Sequence, residues 1–315
     1  MKLNVLKQAS LPDALTAELA RRYHLVELTA LTDADFRALA GTFTVLITNG
    51  EASVTRELIA SLPALELIAV FGVGYDGVDV QAAAEHQVRV SHTPGVLTDD
   101  VADLALGLML ATSRQIVAAH KFIEAGEWAA GGFPWTQKVS GSRVGIVGMG
   151  RIGQAIARRC EGFAMQIAYH DRKRLPALNY AWREDLLTLA AESDFLVICT
   201  PGTVANQGLI NQPVLAALGE KGILINISRG SVIDEPALVA ALESGIIAGA
   251  GLDVFSHEPA VPAGLLQRSN VVVTPHMASA TWSTRAAMAQ LVLDNVACWA
   301  EKKALVTPVA ESLAD

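Results

Sequence analysis

A chain of 315 residues, 51% hydrophobic and 18% charged, is long enough for two cores of ordinary domain size and too apolar to stay disordered. Its net charge of −8 excludes a basic stripe for nucleic acid and a polybasic anchor for anionic lipid, so an anionic ligand must be met by local positive charge. Cys160, Cys199 and Cys298 are odd in number and far apart, which suits buried free thiols in a reducing compartment, and no metal site is expected.

The N-terminus, MKLNVLKQASLPD, lacks an apolar signal core, and the most apolar helical stretch, 101–111, is too short to span a bilayer and carries Asp103. A cytoplasmic protein without a membrane span is the expectation. Strands are predicted at 3–7, 25–28, 45–48, 67–71 and 88–91, with helices such as 12–23 and 55–61 between them. This βα alternation predicts a doubly wound parallel sheet. No glycine fingerprint follows its first strand, so the first half has another task than nucleotide binding. Phe71-Gly72-Val73-Gly74-Tyr75-Asp76 follows the 67–71 strand, where open sheets place ligands; the stretch reads equally as bare amides for a carboxylate or as a plain tight turn.

His92-Thr93-Pro94-Gly95 marks a crossing between domains. Thr98 is expected to cap the next helix, with Asp99 and Asp100 in its first turn and Val101, Leu104, Ala105 and Leu108 as its apolar face. From 125 to 142, Trp128, Gly131, Gly132, Phe133, Pro134 and Trp135 cluster without periodicity. The alternatives are a projecting arm that meets a second subunit and a loop folded on its own protein.

Next comes VGIVGMGRIGQAIARR at 144–159, a β-branched run broken by glycines and followed by Ile152, Ala155, Ile156, Cys160 and Phe163 at helical spacing. Gly148 makes the turn, Gly150 lets a pyrophosphate approach the backbone, and Gly153 lets helix and strand pack closely. With strand and helix both in place, a dinucleotide site is the better reading. Strands at 166–170, 195–199, 223–227, 248–254 and 271–274 alternate with helices at 185–191, 213–218 and 236–243. A helix over 281–302, with Met288, Leu291, Val292, Asn295, Val296 and Trp299 on one side, is expected to pack back on the first half, so the nucleotide domain is an insertion. Arg229, Glu258 and His276 all stand at or just past strand carboxyl ends, which converge on one crevice in such sheets. A histidine with a carboxylate and a nearby cation outlines a proton-transfer site.

At these residues the chain resembles the D-isomer-specific 2-hydroxyacid dehydrogenases. The resemblance rests on GMGRIG at 148–153, INISRGSVIDEPALVAAL at 225–242, GLDVFSHEP at 251–259 and TPHMASAT at 274–281, with VLTDDVADLALGLMLA at 96–111 and LIAVFGVGYDGVD at 67–79. It implies an α/β protein of two doubly wound parallel-sheet domains, a Rossmann domain over 96–283 inserted in a flavodoxin-like substrate domain of 1–95 and 284–315, with a dimerisation arm near 113–142. It also implies that Arg229 binds and polarises a 2-oxo acid, that His276 protonates the carbonyl as hydride arrives, and that Glu258 orients His276 and favours its charged form. Amides at Val73 and Gly74 would take the substrate carboxylate, and Asp253 would lie near the nicotinamide carboxamide. Cofactor contacts are implied at Gly148, Gly150, Arg151, Ile152, Gly153, His170, Arg172, Lys173, Thr200, Pro201 and Asp253.

Spacing alone places Asp171 where an acid holds the ribose diol of NAD. Yet Asp171 follows Tyr169-His170 one place late, and Arg172, Lys173 and Arg174 come next, a pattern similar to the NADP-using members. NADPH is therefore favoured over NADH, with Arg172 as the main contact for the 2′-phosphate. The expected reaction is reduction of hydroxypyruvate or glyoxylate to a D-2-hydroxy acid by a homodimer. KVSGSRVGIVG and YHDRK also resemble the plant hydroxyphenylpyruvate reductases, which makes an arylpyruvate the alternative substrate. Glu258 argues against the formate dehydrogenases, which pair the histidine with glutamine, and the end at Asp315 against phosphoglycerate dehydrogenases with a regulatory domain. A corepressor-like cofactor-sensing protein is the remote alternative. Val73, Trp135 and Met277 are the candidates for a side-chain pocket.

Overall fold

A computed structural model describes residues 2–266 and 268–312. The chain divides into two compact units, 1–97 with 281–315, and 98–280.

In the first unit, β1 (Asn4–Lys7), β2 (His24–Glu27), β3 (Val45–Asn49), β4 (Leu67–Phe71) and β5 (Arg89–Ser91) form a wholly parallel sheet in the order β2-β1-β3-β4-β5. β3 and β4 pair in register from Val45 with Leu67 to Asn49 with Phe71. Every residue of β4 is buried, as expected of a central strand covered on both faces. The connections are α1 (Asp13–Arg22), α2 (Asp33–Leu39), α3 (Arg56–Ala60) and α4 (Val80–Glu85). Thr55 sits just outside α3 and accepts the Leu58 N–H, so the predicted 55–61 helix is shortened to what lies inside its cap.

In the second unit, α5 (Thr98–Ser113) leads into α6 (Ile116–Glu124). Its seven strands are β6 (Arg143–Val147), β7 (Gln166–His170), β8 (Ala181–Trp182), β9 (Phe195–Ile198), β10 (Ile223–Asn226), β11 (Gly249–Leu252) and β12 (Val271–Val273). They run parallel in the order β12-β11-β10-β9-β6-β7-β8. The chain winds outward in both directions from β6 and β9, so the carboxyl ends of this pair form the switch point where such sheets bind ligands. Around the sheet lie α7 (Arg151–Gly162), α8 (Leu186–Ala191), α9 (Gln212–Leu218), α10 (Glu235–Glu243) and α11 (Ala263–Leu266). The last helix, α12 (Trp282–Ala300), belongs to the first unit and packs on β4, and Thr281 caps it by accepting the Thr284 N–H.

Two sequence expectations change. Helix α5 starts at Thr98 instead of being capped by it. Its buried residues, Val101, Ala102, Ala105, Leu106, Leu108 and Met109, also run well beyond one stripe, whereas Leu104 is only half-buried. The helix is covered by α7 on one side and by β10 and β11 on another, so a one-face pattern does not describe it. No single helix among the described residues is long and apolar enough to cross a membrane.

Candidate active site

The glycine turn joins β6 to α7 at the switch point. Gly148 has φ +94°, and a Cβ there would stand 2.9 Å from the Thr200 N and 3.0 Å from the Cys199 carbonyl carbon. Only glycine fits such a bend. A Cβ on Gly153 would lie 2.2 Å from the Gly148 oxygen, so the third glycine lets α7 press against the turn. At Gly150 nothing comes within 4 Å of the place a Cβ would take, and this residue stands at the N-cap of α7. Open backbone at the start of a helix of twelve residues is what a pyrophosphate requires. Arg151 follows, exposed on the first turn, with Ile152 half-buried beside it. Thr200 and Pro201 lie just beyond β9, tied to Asn206, whose Nδ2 donates to Thr200 Oγ1 at 3.0 Å and to the Pro201 carbonyl at 2.9 Å.

At the end of β7 the His170 ring meets the Arg183 carbonyl through Nδ1 at 3.1 Å. Asp171, the acid at diol-binding distance, is turned toward the backbone: its oxygens accept the Met149 N–H at 2.8 Å and the Arg172 N–H at 2.7 Å. Arg172, Lys173 and Arg174 are exposed. This corner therefore presents cations outward while its acid braces the glycine turn. The open turn, the helix end and the outward cations together fit a phosphorylated dinucleotide.

The three ionisable residues singled out from sequence are built on the ends of β10, β11 and β12. Asn226, fully buried at the end of β10, donates from Nδ2 to the Arg229 carbonyl at 3.0 Å and accepts from the Ser228 N–H at 3.0 Å, which forms the turn that presents Arg229. A Cβ on Gly230 would fall 1.9 Å from the Phe255 carbonyl carbon, so this glycine lets the Arg229 turn lie against the 255–256 backbone. The Arg229 stem covers Gly202, where a Cβ would meet Arg229 Cγ at 2.7 Å, and its Nη1 donates to the Ser228 carbonyl at 2.7 Å.

Glu258 Oε1 accepts the Phe255 N–H at 2.9 Å, and Oε2 stands 2.8 Å from His276 Nδ1. A carboxylate is an acceptor, so Nδ1 carries the hydrogen, and Nε2 is the ring's other proton-exchanging nitrogen. Burial pushes the Glu258 carboxyl up, but the bonds from His276 and Phe255 and the charges of His276 and Arg229 outweigh it and hold the group below its ordinary value. His276 itself takes the left-handed conformation, φ +48°. Asp253 explains how that turn persists. Fully buried, its carboxylate accepts from Thr274 Oγ1 at 2.6 Å, Met277 N at 2.9 Å and Ala278 N at 2.9 Å, and its carbonyl accepts the His276 N–H at 2.8 Å. Burial raises its carboxyl above the ordinary value despite these donors. Asp253, expected beside the nicotinamide, thus also braces the histidine.

Two contributors escape the sequence reading, the Asn226 clamp and the Gly230 contact. Asn-x-Ser at 226–228 is a local turn signal that could have found the first; the approach of Gly230 to Phe255 joins segments 25 residues apart and leaves no local trace.

In the first unit, Gly72, Val73 and Gly74 follow β4 and are half-buried, with their amides at the carboxyl end of the sheet. In the 113–142 segment, Ile116, Val117, Ile123, Trp128 and Trp135 are exposed, Trp135 at 101%, and no residue of α6 is buried. Parts of the same segment fold back on its own unit: Phe122 and Phe133 pack edge to face at 5.4 Å, and Gln137 Nε2 donates to the Lys221 carbonyl at 3.0 Å. Met277 is exposed beside His276.

Residues 106–278 match the family model described as D-isomer specific 2-hydroxyacid dehydrogenase, NAD binding domain. The chain is 45% identical to hydroxyphenylpyruvate reductase of Plectranthus scutellarioides, over 98% of this chain and 99% of that protein. It is 40% identical, over the same shares, to glyoxylate/hydroxypyruvate reductase A of Arabidopsis thaliana. Among solved structures, the NADPH-dependent glyoxylate/hydroxypyruvate reductase of Sinorhizobium meliloti in complex with NADP and malonate superposes with a TM-score of 0.93 at 42% identity, over 99% of this chain and 98% of that one. With a family model matched over 106–278 and relatives at 40–45% identity over 98% of this chain, the protein belongs to the D-isomer-specific 2-hydroxyacid dehydrogenase family.

Proposed function

We propose that the protein reduces small 2-oxo acids, hydroxypyruvate and glyoxylate foremost, to D-2-hydroxy acids with NADPH. The observation that carries this reading is the 2.8 Å bond between His276 Nδ1 and Glu258, with Arg229 close enough to act on the same carboxylate. When bound, the cofactor supplies hydride. Arg229 draws the 2-oxo acid in and polarises its carbonyl, the amides of Val73 and Gly74 take its carboxylate, and His276 Nε2 delivers the proton to the carbonyl oxygen. Glu258 keeps the imidazole charged and aligned. The test is loss of reduced-nicotinamide absorbance on adding each 2-oxo acid in turn. Turnover with phenylpyruvate in preference to hydroxypyruvate would favour the arylpyruvate reading, which the 45% identity to a hydroxyphenylpyruvate reductase supports.

The choice of NADPH is supported by the inward-turned Asp171 and the outward Arg172 and Lys173. Arg172→Ala is expected to lower kcat/KM with NADPH by about ten- to hundredfold, the size of a lost hydrogen bond to a charged group, and to leave NADH nearly unchanged. An unchanged ratio of the two cofactors would sink the assignment.

Glu258→Gln tests the proton donor. Reduction needs charged His276, so the rate falls as pH rises through the imidazole pKa, and the Glu258 carboxylate raises that pKa by favouring the cation. In Glu258→Gln the alkaline fall of kcat/KM is expected to move to lower pH, with activity retained on the acid side. An unmoved profile would remove Glu258 from this role.

A homodimer in the cytoplasm completes the proposal. The exposed apolar residues of α6 and the arm support a subunit contact there.

A further inference from the structure

Within the first unit, the 72–75 loop is held by a chain of hydrogen bonds outside the catalytic set. Thr93 N–H donates to the Gly72 carbonyl at 2.8 Å, and the His92 ring meets the Val73 carbonyl through Nδ1 at 2.9 Å. A carbonyl oxygen only accepts, so Nδ1 carries the hydrogen. His92 is itself fixed from several directions. Its ring stands edge-on to Tyr75 with centroids 5.3 Å apart, and its backbone exchanges bonds with Thr307, N–H to carbonyl at 3.2 Å and carbonyl from Oγ1 at 2.6 Å. Thr307 is gripped in turn by buried Asn295 of α12, whose Oδ1 accepts the Thr307 N–H at 3.1 Å and whose Nδ2 donates to Thr307 Oγ1 at 2.8 Å.

Each trans peptide unit is planar, with its C=O and N–H pointing in opposite directions. The Gly72 oxygen and the Val73 N–H are the two ends of one unit; the Val73 oxygen and the Gly74 N–H are the two ends of the next. Anchoring both oxygens by consecutive residues therefore fixes the aim of both N–H groups. A bond accepted at the oxygen also polarises the amide and strengthens its N–H as a donor. We propose that His92 is the positioning residue of the carboxylate-binding loop, its Nδ1–H holding the Val73 carbonyl so that the Gly74 N–H, beside that of Val73, is aimed at the carboxylate of a 2-oxo acid. This rests on the substrate reading given above and adds to it a side chain that acts through the Val73 carbonyl.

His92→Phe keeps a ring against Tyr75 and removes the donor. His92→Asn restores a donor near the place of Nδ1, and His92→Asp puts an acceptor there in the same shape. In steady-state reduction of glyoxylate with NADPH, His92→Phe and His92→Asp are expected to raise the glyoxylate KM about three- to tenfold, the size of one hydrogen bond, with kcat and the NADPH KM within about twofold. His92→Asn should return to within about twofold of wild type, and the methyl ester of glyoxylate, which lacks the carboxylate, should show no change in any variant. An unchanged glyoxylate KM in His92→Phe, a parallel rise in the NADPH KM, failure of folded His92→Asn to recover, or an equal loss with the ester would each overturn the proposal. If His92→Phe does not fold, His92→Asp against His92→Asn gives the same comparison. A wild-type protein that oxidises no NADPH with glyoxylate removes the reduction reading and this proposal with it, whereas active wild type matched by His92→Phe removes the proposal alone.

Discussion

His276→Ala is expected to lower kcat for 2-oxo acid reduction by about two to four orders of magnitude while NADPH binds with unchanged affinity. The imidazole combines a bond to a carboxylate at Nδ1 with a second ring nitrogen able to carry a proton, and alanine supplies neither. The glycine turn that would hold the pyrophosphate is built from β6 and α7, independently of the histidine side chain. Folding is separable from chemistry here. His276 stands at φ +48°, a region that asparagine tolerates better than most residues, so His276→Asn preserves the turn and should lose the rate as fully as alanine does. Stopped-flow or steady-state turnover alongside fluorescence titration of NADPH decides it; a mutant within tenfold of wild type would end the proton-donor assignment.

Arg229→Gln is expected to cut kcat/KM for the 2-oxo acid by about 30- to 5,000-fold, the range for removing one partner of a desolvated charge pair. Both KM and kcat should suffer, because the guanidinium acts on the ground-state anion and on charge that develops at the carbonyl oxygen. Arg229→Lys should recover little, since an ammonium lacks the planar fork that meets a carboxylate or carbonyl oxygen with fixed donors. A lysine variant with near wild-type kcat/KM would show that only a positive charge is needed, and a purely raised KM would confine Arg229 to binding.

Much of the architecture is legible in the residue order. Central strands such as 67–71 are continuous apolar runs because both faces are covered, and the structure buries every residue of β4. The 33–39 helix has no counterpart among the predicted elements although Thr32 and Asp35 form a capping box at its start, since only Phe36 and Leu39 of its seven residues turn to the core and so short a stretch shows little period. In α5, burial from two sides blurs the pattern and leaves Leu104 half-exposed. Among site residues, the glycines are readable because each answers a local steric demand. Asp171 is readable by position but not by direction, for only the folded turn shows its oxygens accepting the Met149 and Arg172 amides.

Residue order alone determined the two βα series, the dinucleotide turn at 148–153 and the candidacy of Arg229, Glu258 and His276, because backbone periodicity, glycine sterics and strand-end placement act over short stretches of chain. The tertiary structure alone decided that Asp253 holds the His276 turn, that Gly230 lies against Phe255, and that His92 reaches the Val73 carbonyl. Those contacts join segments 19 to 25 residues apart through hydrogen bonds and close approaches, whose partners no local pattern names, so they come into being only when parallel strands bring their carboxyl ends together.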